Sequence, residues 1–166
     1  MGMTYPIKIK SIKHLFFVLC YLSICSSMVL ASGFESSPNI TKSFLVAKST
    51  KSYNEAKKFA KALSLKSGIK IDLRGLLFNA DIGLTESKKE CIDNGFEYPC
   101  YTPRGRYDDG AYISIEYSSA YERFSKGYYV VMVNSGEISK RFLEKIKTYV
   151  PDAYVKKSSV YMGCMH

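Results

Sequence analysis

Between residues 98 and 112 the chain crowds together Tyr98, Tyr101, Arg104, Arg106, Tyr107 and Tyr112. Tyrosine offers a flat apolar face for stacking and a hydroxyl for hydrogen bonding, and arginine a planar fork that matches carboxylates, so this grouping suits sugars or acidic protein surfaces. The full sequence holds fourteen tyrosines and no tryptophan, so aromatic recognition here would be the work of tyrosine and phenylalanine. A plainer reading stands beside it. Tyrosines are good strand residues, and Arg106 could simply pair with Asp108 or Asp109.

Catalytic chemistry is harder to assemble. The two histidines are His14, in the leader, and His166, the last residue, and no Cys-x-x-Cys or His-x-x-x-His spacing occurs, which argues against a dedicated transition-metal site. Cys164 and His166 could form a thiolate-imidazole pair, but no orienting group is evident and a structural cysteine is the simpler expectation. There is no Gly-x-Ser-x-Gly elbow, and Asn134-Ser135-Gly136 lacks the lysine-serine end of a phosphate loop. Asp108, Asp109, Glu116 and Glu122 could supply a glycosidase-like acid and base on paper. Asp108-Asp109-Gly110 is also an ordinary turn, whose aspartates bond local amides. The expectation is therefore a non-enzymatic binding domain without a cofactor. Its candidate contact residues are Tyr101, Arg104, Arg106, Tyr107, Tyr112, Ser114 and Glu116.

The start of the chain bears on where this chemistry would act. Lys8, Lys10 and Lys13 precede the apolar run Leu15 to Cys25, and Val29-x-Ala31 offers small residues to a peptidase. This pattern predicts a secretory signal peptide over residues 1–31 and a periplasmic or secreted product with no stable membrane insertion after cleavage. An uncleaved anchor and lipidation at Cys20 or Cys25 are the competing readings. Twenty-four basic and fifteen acidic residues give +9; removing three lysines and no acid with the leader leaves +6. That charge is compatible with an anionic partner such as cell-wall polymer, lipid headgroups or an acidic protein. Export and the lack of a nucleic-acid motif argue against nucleic acid. Of five cysteines, Cys91, Cys100 and Cys164 follow the leader. The turn at Asn94-Gly95 favours a Cys91 to Cys100 bridge, with Cys100 to Cys164 as the rival.

The elements that must position these residues read as follows. Residues 32–42 have no period and suggest a flexible leader, with a single domain over 43–166. Ser43 to Ala47 suits a buried strand. Ser52 and Glu55 suggest a capping box for a helix whose Tyr53, Ala56, Phe59, Ala60 and Leu63 share a face and which Gly68 stops. Ile69 to Leu73 alternates as a strand. Tyr128 to Val133 is the strongest strand signal, and Ser135 could cap a helix carrying Ile138, Phe142, Ile146 and Tyr149 up to Pro151. A final strand is expected around Ala153 to Val155, with another short one at 160–162. Between these halves lies an insertion at about 74–110 that holds the cysteine loop. It leads into Ala111 to Tyr117, with Ile113, Ile115 and Tyr117 expected in the core and Tyr112, Ser114 and Glu116 on an open face.

Two strand-helix-strand units whose helices cover one side of a sheet make an α+β two-layer sandwich with an antiparallel sheet. Phe44-Leu45-Val46-Ala47 with the helix from Tyr53 to Leu63, and Tyr129 to Val133 with the helix from Ile138 to Tyr149, resemble the SPOR domain, the sporulation-related repeat module of bacterial envelope proteins. The resemblance covers the two ends of the exported chain and not its middle, where that family joins its strands tightly. It implies a ferredoxin-like repeat and binding of peptidoglycan glycan strands stripped of peptide stems. From a different class, an inhibitor or immunity protein that presents the stapled loop to a secreted enzyme fits the same features.

Overall fold

Two apolar runs, Phe44-Leu45-Val46-Ala47 and Tyr129-Val130-Val131-Met132-Val133, are buried on both of their faces, as expected of strands covered above and below. In the computed structural model, which describes residues 38–163, they lie in the two middle strands of one sheet. Strand β1 spans Asn39–Thr50 and helix α1 Tyr53–Ser67. A small hairpin follows, β2 at Leu77–Asn79 and β3 at Gly83–Thr85, then helix α2 at Lys88–Asp93. Strands β4 (Gly110–Tyr117) and β5 (Tyr129–Ser135), helix α3 (Lys140–Lys147) and strand β6 (Tyr154–Tyr161) complete the chain. The main sheet has the order β4-β5-β1-β6 with every neighbouring pair antiparallel, and β2 and β3 form a separate two-stranded sheet. The architecture is thus mixed α+β.

Helices α1 and α3 pack on the same face. Ala56, Ala60 and Leu63 of α1 and Ile146 of α3 share one core with Leu45, Ala47, Ile113, Ile115, Val131 and Val133. Helix α1 starts where Ser52 Oγ accepts from the Glu55 amide at 3.3 Å, and it stops at Gly68, which closes it in the left-handed conformation. The Glu55 carboxylate bonds Thr50 and Lys48 and does not return to the cap, so the predicted box is half formed.

Several boundaries differ from the sequence reading. Strand β1 begins at Asn39, inside the expected flexible leader, because residues 39–42 complete the backbone ladder to Ser158–Tyr161 of β6. That pairing needs no apolar pattern, so composition gave no sign of it. Helix α3 is capped by Ser139, whose hydroxyl accepts from Phe142 N at 3.2 Å, whereas Ser135 is the last residue of β5. The two short strands expected after Pro151 are one continuous β6.

The alternating segment Ile69 to Leu73 is not a strand. It contributes one parallel bridge, Ile71 to Ile113, in which Ile113 N donates to Lys70 O and Asp72 N to Ile113 O. It covers the outer edge of β4 over one residue before the chain turns at Arg74, whose φ is 58°. The signal segment 1–31, the leader up to residue 37, and Cys164 with His166 lie outside the described residues.

The expectation of an open sheet face also fails. Ser114 and Glu116 are buried, and the face they share with Phe44, Val46, Val130 and Met132 is covered. Tyr121 and Phe124, from the connection between β4 and β5, pack there as edge-on and tilted rings around Phe44. The segment around Arg104 covers the rest. An aromatic lid and a buried arginine together replace the solvent that alternation implied.

Candidate functional site

Arg104 is the largest fully buried side chain in the described residues, and each of its three guanidinium nitrogens donates to a group within the fold. Nε donates to Ser135 Oγ at 3.2 Å, Nη2 to Gly110 O at 2.6 Å, and Nη1 to Tyr112 O at 2.8 Å and Ser114 Oγ at 3.1 Å. The guanidinium also lies 3.5 Å above the centre of the Tyr112 ring. Burial pulls its pKa below the ordinary arginine value, although Glu116 and Asp108 nearby favour the charge.

A second arginine carries the charge pairing. Arg74 Nη1 donates to Glu116 Oε2 at 2.7 Å and to Thr102 O at 3.2 Å, while Nε meets Asp108 Oδ2 at 2.9 Å. Burial opposes the Arg74 charge, but these two carboxylates outweigh it and raise its pKa. Tyr121 OH donates to Glu116 Oε2 at 2.9 Å and accepts from the Arg104 amide at 2.8 Å. Tyr112 OH donates to Asp108 Oδ2 at 2.7 Å. Burial works against ionisation of Asp108, yet Tyr112, Arg74 and the Gly105 amide hold its carboxyl below the usual range. Burial and the neighbouring carboxylates push both the Tyr112 and Tyr121 phenols up. Of the candidate contact residues, Arg104, Tyr112, Ser114 and Glu116 therefore form an internal network that fixes the loop.

The remaining candidates, Tyr101, Arg106 and Tyr107, stay near solvent. The Cys91–Cys100 disulfide, with Cα atoms 5.7 Å apart, fixes the segment before them. Helix α2 leads into it through a capping box between Ser87 and Glu90. Thr85 Oγ1 donates to Cys100 O at 2.7 Å, which ties the bridge to β3. Tyr101 OH donates to Ile82 O at 2.8 Å, and its ring leans on Tyr117. Tyr107 is strongly exposed and donates to Met162 O at 2.6 Å.

These anchors leave a cleft of about 430 Å³, lined by Asn39, Phe96, Tyr101, Thr102, Arg106 and Tyr161, with Pro103, Ala120, Glu122 and Ser159 also on its walls. Its volume falls within the range of roughly 300 to 1,000 Å³ common for small-ligand sites, and its walls mix apolar rings with a few polar groups as such sites do. A second cleft of about 240 Å³ shares Phe96, Cys100, Thr102 and Arg106 with the first and adds Arg74 and Asp108. Arg106 thus stands between two concavities. Its guanidinium carbon lies 5.2 Å from the Tyr107 ring centre and 5.7 Å from that of Tyr161. Gly163 makes room for it, since a β-carbon there would sit 2.7 Å from Nη2.

Sequence reasoning found Arg106, Tyr101 and Tyr107 but missed Phe96, Asn39, Glu122 and Tyr161. Asn39 and Tyr161 are directly opposite one another in the β1–β6 ladder, so their arrival beside the loop is a matter of strand register. The missed signal was Phe96 itself, an apolar residue inside the cysteine loop. Among the described residues, no group of three or more His, Cys, Asp or Glu side chains could hold a metal ion, and no helix is long and apolar enough to cross a membrane. Comparison with known proteins gives no match: no family model, curated protein or solved structure aligns significantly with this chain.

Proposed function

We propose that the chain is an exported, non-enzymatic binding module that recognises an envelope glycan, and that its contact surface is the cleft around Arg106. The observation that carries this reading is the lining of that cleft: aromatic rings from Phe96, Tyr101 and Tyr161 beside polar Asn39, Thr102, Ser159 and Glu122, held on a cross-linked loop. Flat rings with converging hydrogen-bonding groups are what a sugar ring needs on its two kinds of surface. The covered second face of the sheet moves the contact surface from the strands to the loop. Supporting the non-catalytic reading, Asp108 and Glu116 are engaged by Arg74, Tyr112 and Tyr121. The strand order β4-β5-β1-β6, with α1 and α3 on one face, supports a finer proposal, a ferredoxin-like or SPOR-like repeat that carries an insertion. A periplasmic or secreted location agrees with the disulfide.

A second reading has its own observation. Ile92, Phe96, Tyr98 and Tyr107 are exposed on or beside the stapled loop, and rigid exposed aromatic groups are common anchors of protein interfaces. A secreted enzyme held by this loop is the alternative partner. Sedimentation with purified peptidoglycan sacculi separates the two. Retention that weakens in Arg106→Ala and Tyr161→Ala supports glycan binding. Indifference to sacculi together with a stoichiometric co-purifying enzyme overturns it in favour of the second.

A further inference from the structure

Positive charge is spread unevenly over this chain. Helix α1 carries Lys57, Lys58, Lys61 and Lys66 against Glu55, and helix α3 carries Lys140, Arg141, Lys145 and Lys147 against Glu144. Eight basic residues thus face two acidic ones, while the rest of residues 32–166 holds thirteen of each, so the two helices account for the whole excess of +6. Both helices pack on one face of the sheet, and Lys58, Lys61, Lys66, Lys140, Arg141 and Lys145 are exposed on their outer side. Among the described residues none of the eight cations forms an ion pair, whereas Lys42, Lys48, Arg74 and Lys89 elsewhere all do. Of the two carboxylates, Glu55 is already taken by Lys48 and Thr50. A layer of like charge left without counter-charges repels itself, and an anionic partner relieves that repulsion.

Helix α1 adds a second feature. Lys58, Lys61, Ala62 and Leu65 follow the i, i+3, i+4, i+7 spacing of a single helix face, and Leu65 is 88% exposed, more than any other large apolar side chain among the described residues. We infer that the outer side of α1 and α3 rests on an anionic phospholipid surface, with Leu65 entering the acyl boundary and the basic side chains meeting headgroup phosphates. The stems of the lysines let their charges follow the headgroups while the leucine between them is buried. Composition favours a bilayer over a protein partner. Seven of the eight cations are lysine, which is depleted from protein interfaces and whose mobile ammonium suits a diffuse field of phosphates. The aromatic side chains of the two helices, Tyr53, Phe59 and Phe142, pack against the core and do not serve as anchors for a protein contact. The opposite face of the sheet bears the Tyr121 to Phe124 cover, whose Glu122 lines the cleft, so this surface is independent of the ligand assigned there.

Vesicle sedimentation provides the test, with the chain produced through the export route so that the disulfide forms. Vesicles of phosphatidylcholine with about 30 mol% phosphatidylglycerol should bind it at least about tenfold more tightly than phosphatidylcholine alone, and about 0.5 M salt should remove the difference. Lys58→Gln with Lys61→Gln should weaken binding to the anionic vesicles by about tenfold or more. Lys88→Gln with Lys156→Gln, which removes the same charge from outside the two helices, should change it little. Unfolding midpoints check that each pair of substitutions leaves the fold intact, and Arg141→Gln with Lys145→Gln repeats the test from α3. Leu65→Gln should weaken vesicle binding by about fivefold or more without affecting binding to soluble polyphosphate. Equal binding to neutral and anionic vesicles, or equal losses from both lysine pairs, overturns the inference. Polyphosphate bound as tightly as the vesicles, with Leu65→Gln without effect on either, overturns it in favour of a soluble polyanion. No binding to anionic vesicles at low salt overturns it outright.

Discussion

The Arg104 guanidinium lies flat on the Tyr112 ring, 3.5 Å from its centre, and from there reaches backbone and hydroxyl acceptors on both β4 and β5. A side chain that sequence pattern would place at a binding surface is thereby the central post of a buried polar network. Arg104→Ala would leave Ser114 and Ser135 hydroxyls and the Gly110 and Tyr112 carbonyls without their donor. Each unsatisfied buried group costs about 1 to 3 kcal/mol, so a loss of about 3 kcal/mol or more is expected in urea unfolding. Arg104→Lys should recover little, since one ammonium cannot span the same acceptors.

The disulfide should stabilise chiefly by shortening the unfolded chain's freedom. Replacing Cys91 and Cys100 together by serine is expected to cost about 2 to 3 kcal/mol in denaturant unfolding, the loop-closure value for a bridge of this span. Amide exchange between residues 94 and 102 should accelerate in the double variant. The protection of β1 and β5, buried at the centre of the sheet, should fall only by the global loss.

The pH dependence follows from groups whose pKa values the fold moves. Asp108 is held below its unfolded value, so its contribution is present above about pH 3.9 and is lost as pH falls through the lower folded value. Tyr112 and Tyr121 are shifted up, so their contribution persists below about pH 10 and disappears as pH rises past it toward the folded values. The urea midpoint measured against pH should therefore show a plateau that declines at both ends. Asp108→Asn should flatten the acid limb, and Tyr112→Phe part of the alkaline one. Absorbance of tyrosinate should show these two phenols ionising above the ordinary tyrosine range.

Gly83, at the start of β3, has φ 87° and lies against the Tyr117 ring, where a β-carbon would approach the ring carbons to 2.5 Å. Alanine there meets both a left-handed backbone and a clash. Gly83→Ala is expected to destabilise by about 2 kcal/mol or more, read from the thermal or urea transition. It should also displace the Tyr101 ring, which rests on Tyr117, and so reduce ligand retention by the cleft.

What the sequence disclosed and what it hid can be traced to particular residues. The uninterrupted apolar runs of β1 and β5 announced central strands, and the spacing of Ala56, Ala60 and Leu63 announced the buried face of α1. The Asn94-Gly95 turn pointed correctly to the Cys91–Cys100 bridge. Alternation in β4 misled because a two-residue period separates faces and not environments: Ser114 and Glu116 are polar yet buried, satisfied by arginines from outside the strand. Nothing local marks Arg74 as the partner of Glu116, forty-two residues away in the chain. Asn39 and Tyr161 were out of reach for the same reason, since a ladder register joins them and their own surroundings in sequence do not.

Arg74 and Asp108 stand at the two ends of the long excursion between α1 and β4, and their side chains meet at 2.9 Å. The excursion is therefore fastened at its neck like a purse on a drawstring. Within it, residues 92–99 between the bridged cysteines are all exposed, so they can be exchanged while Arg104 keeps its hold on β4 and β5, which makes that short loop the natural place to graft a different specificity onto this scaffold.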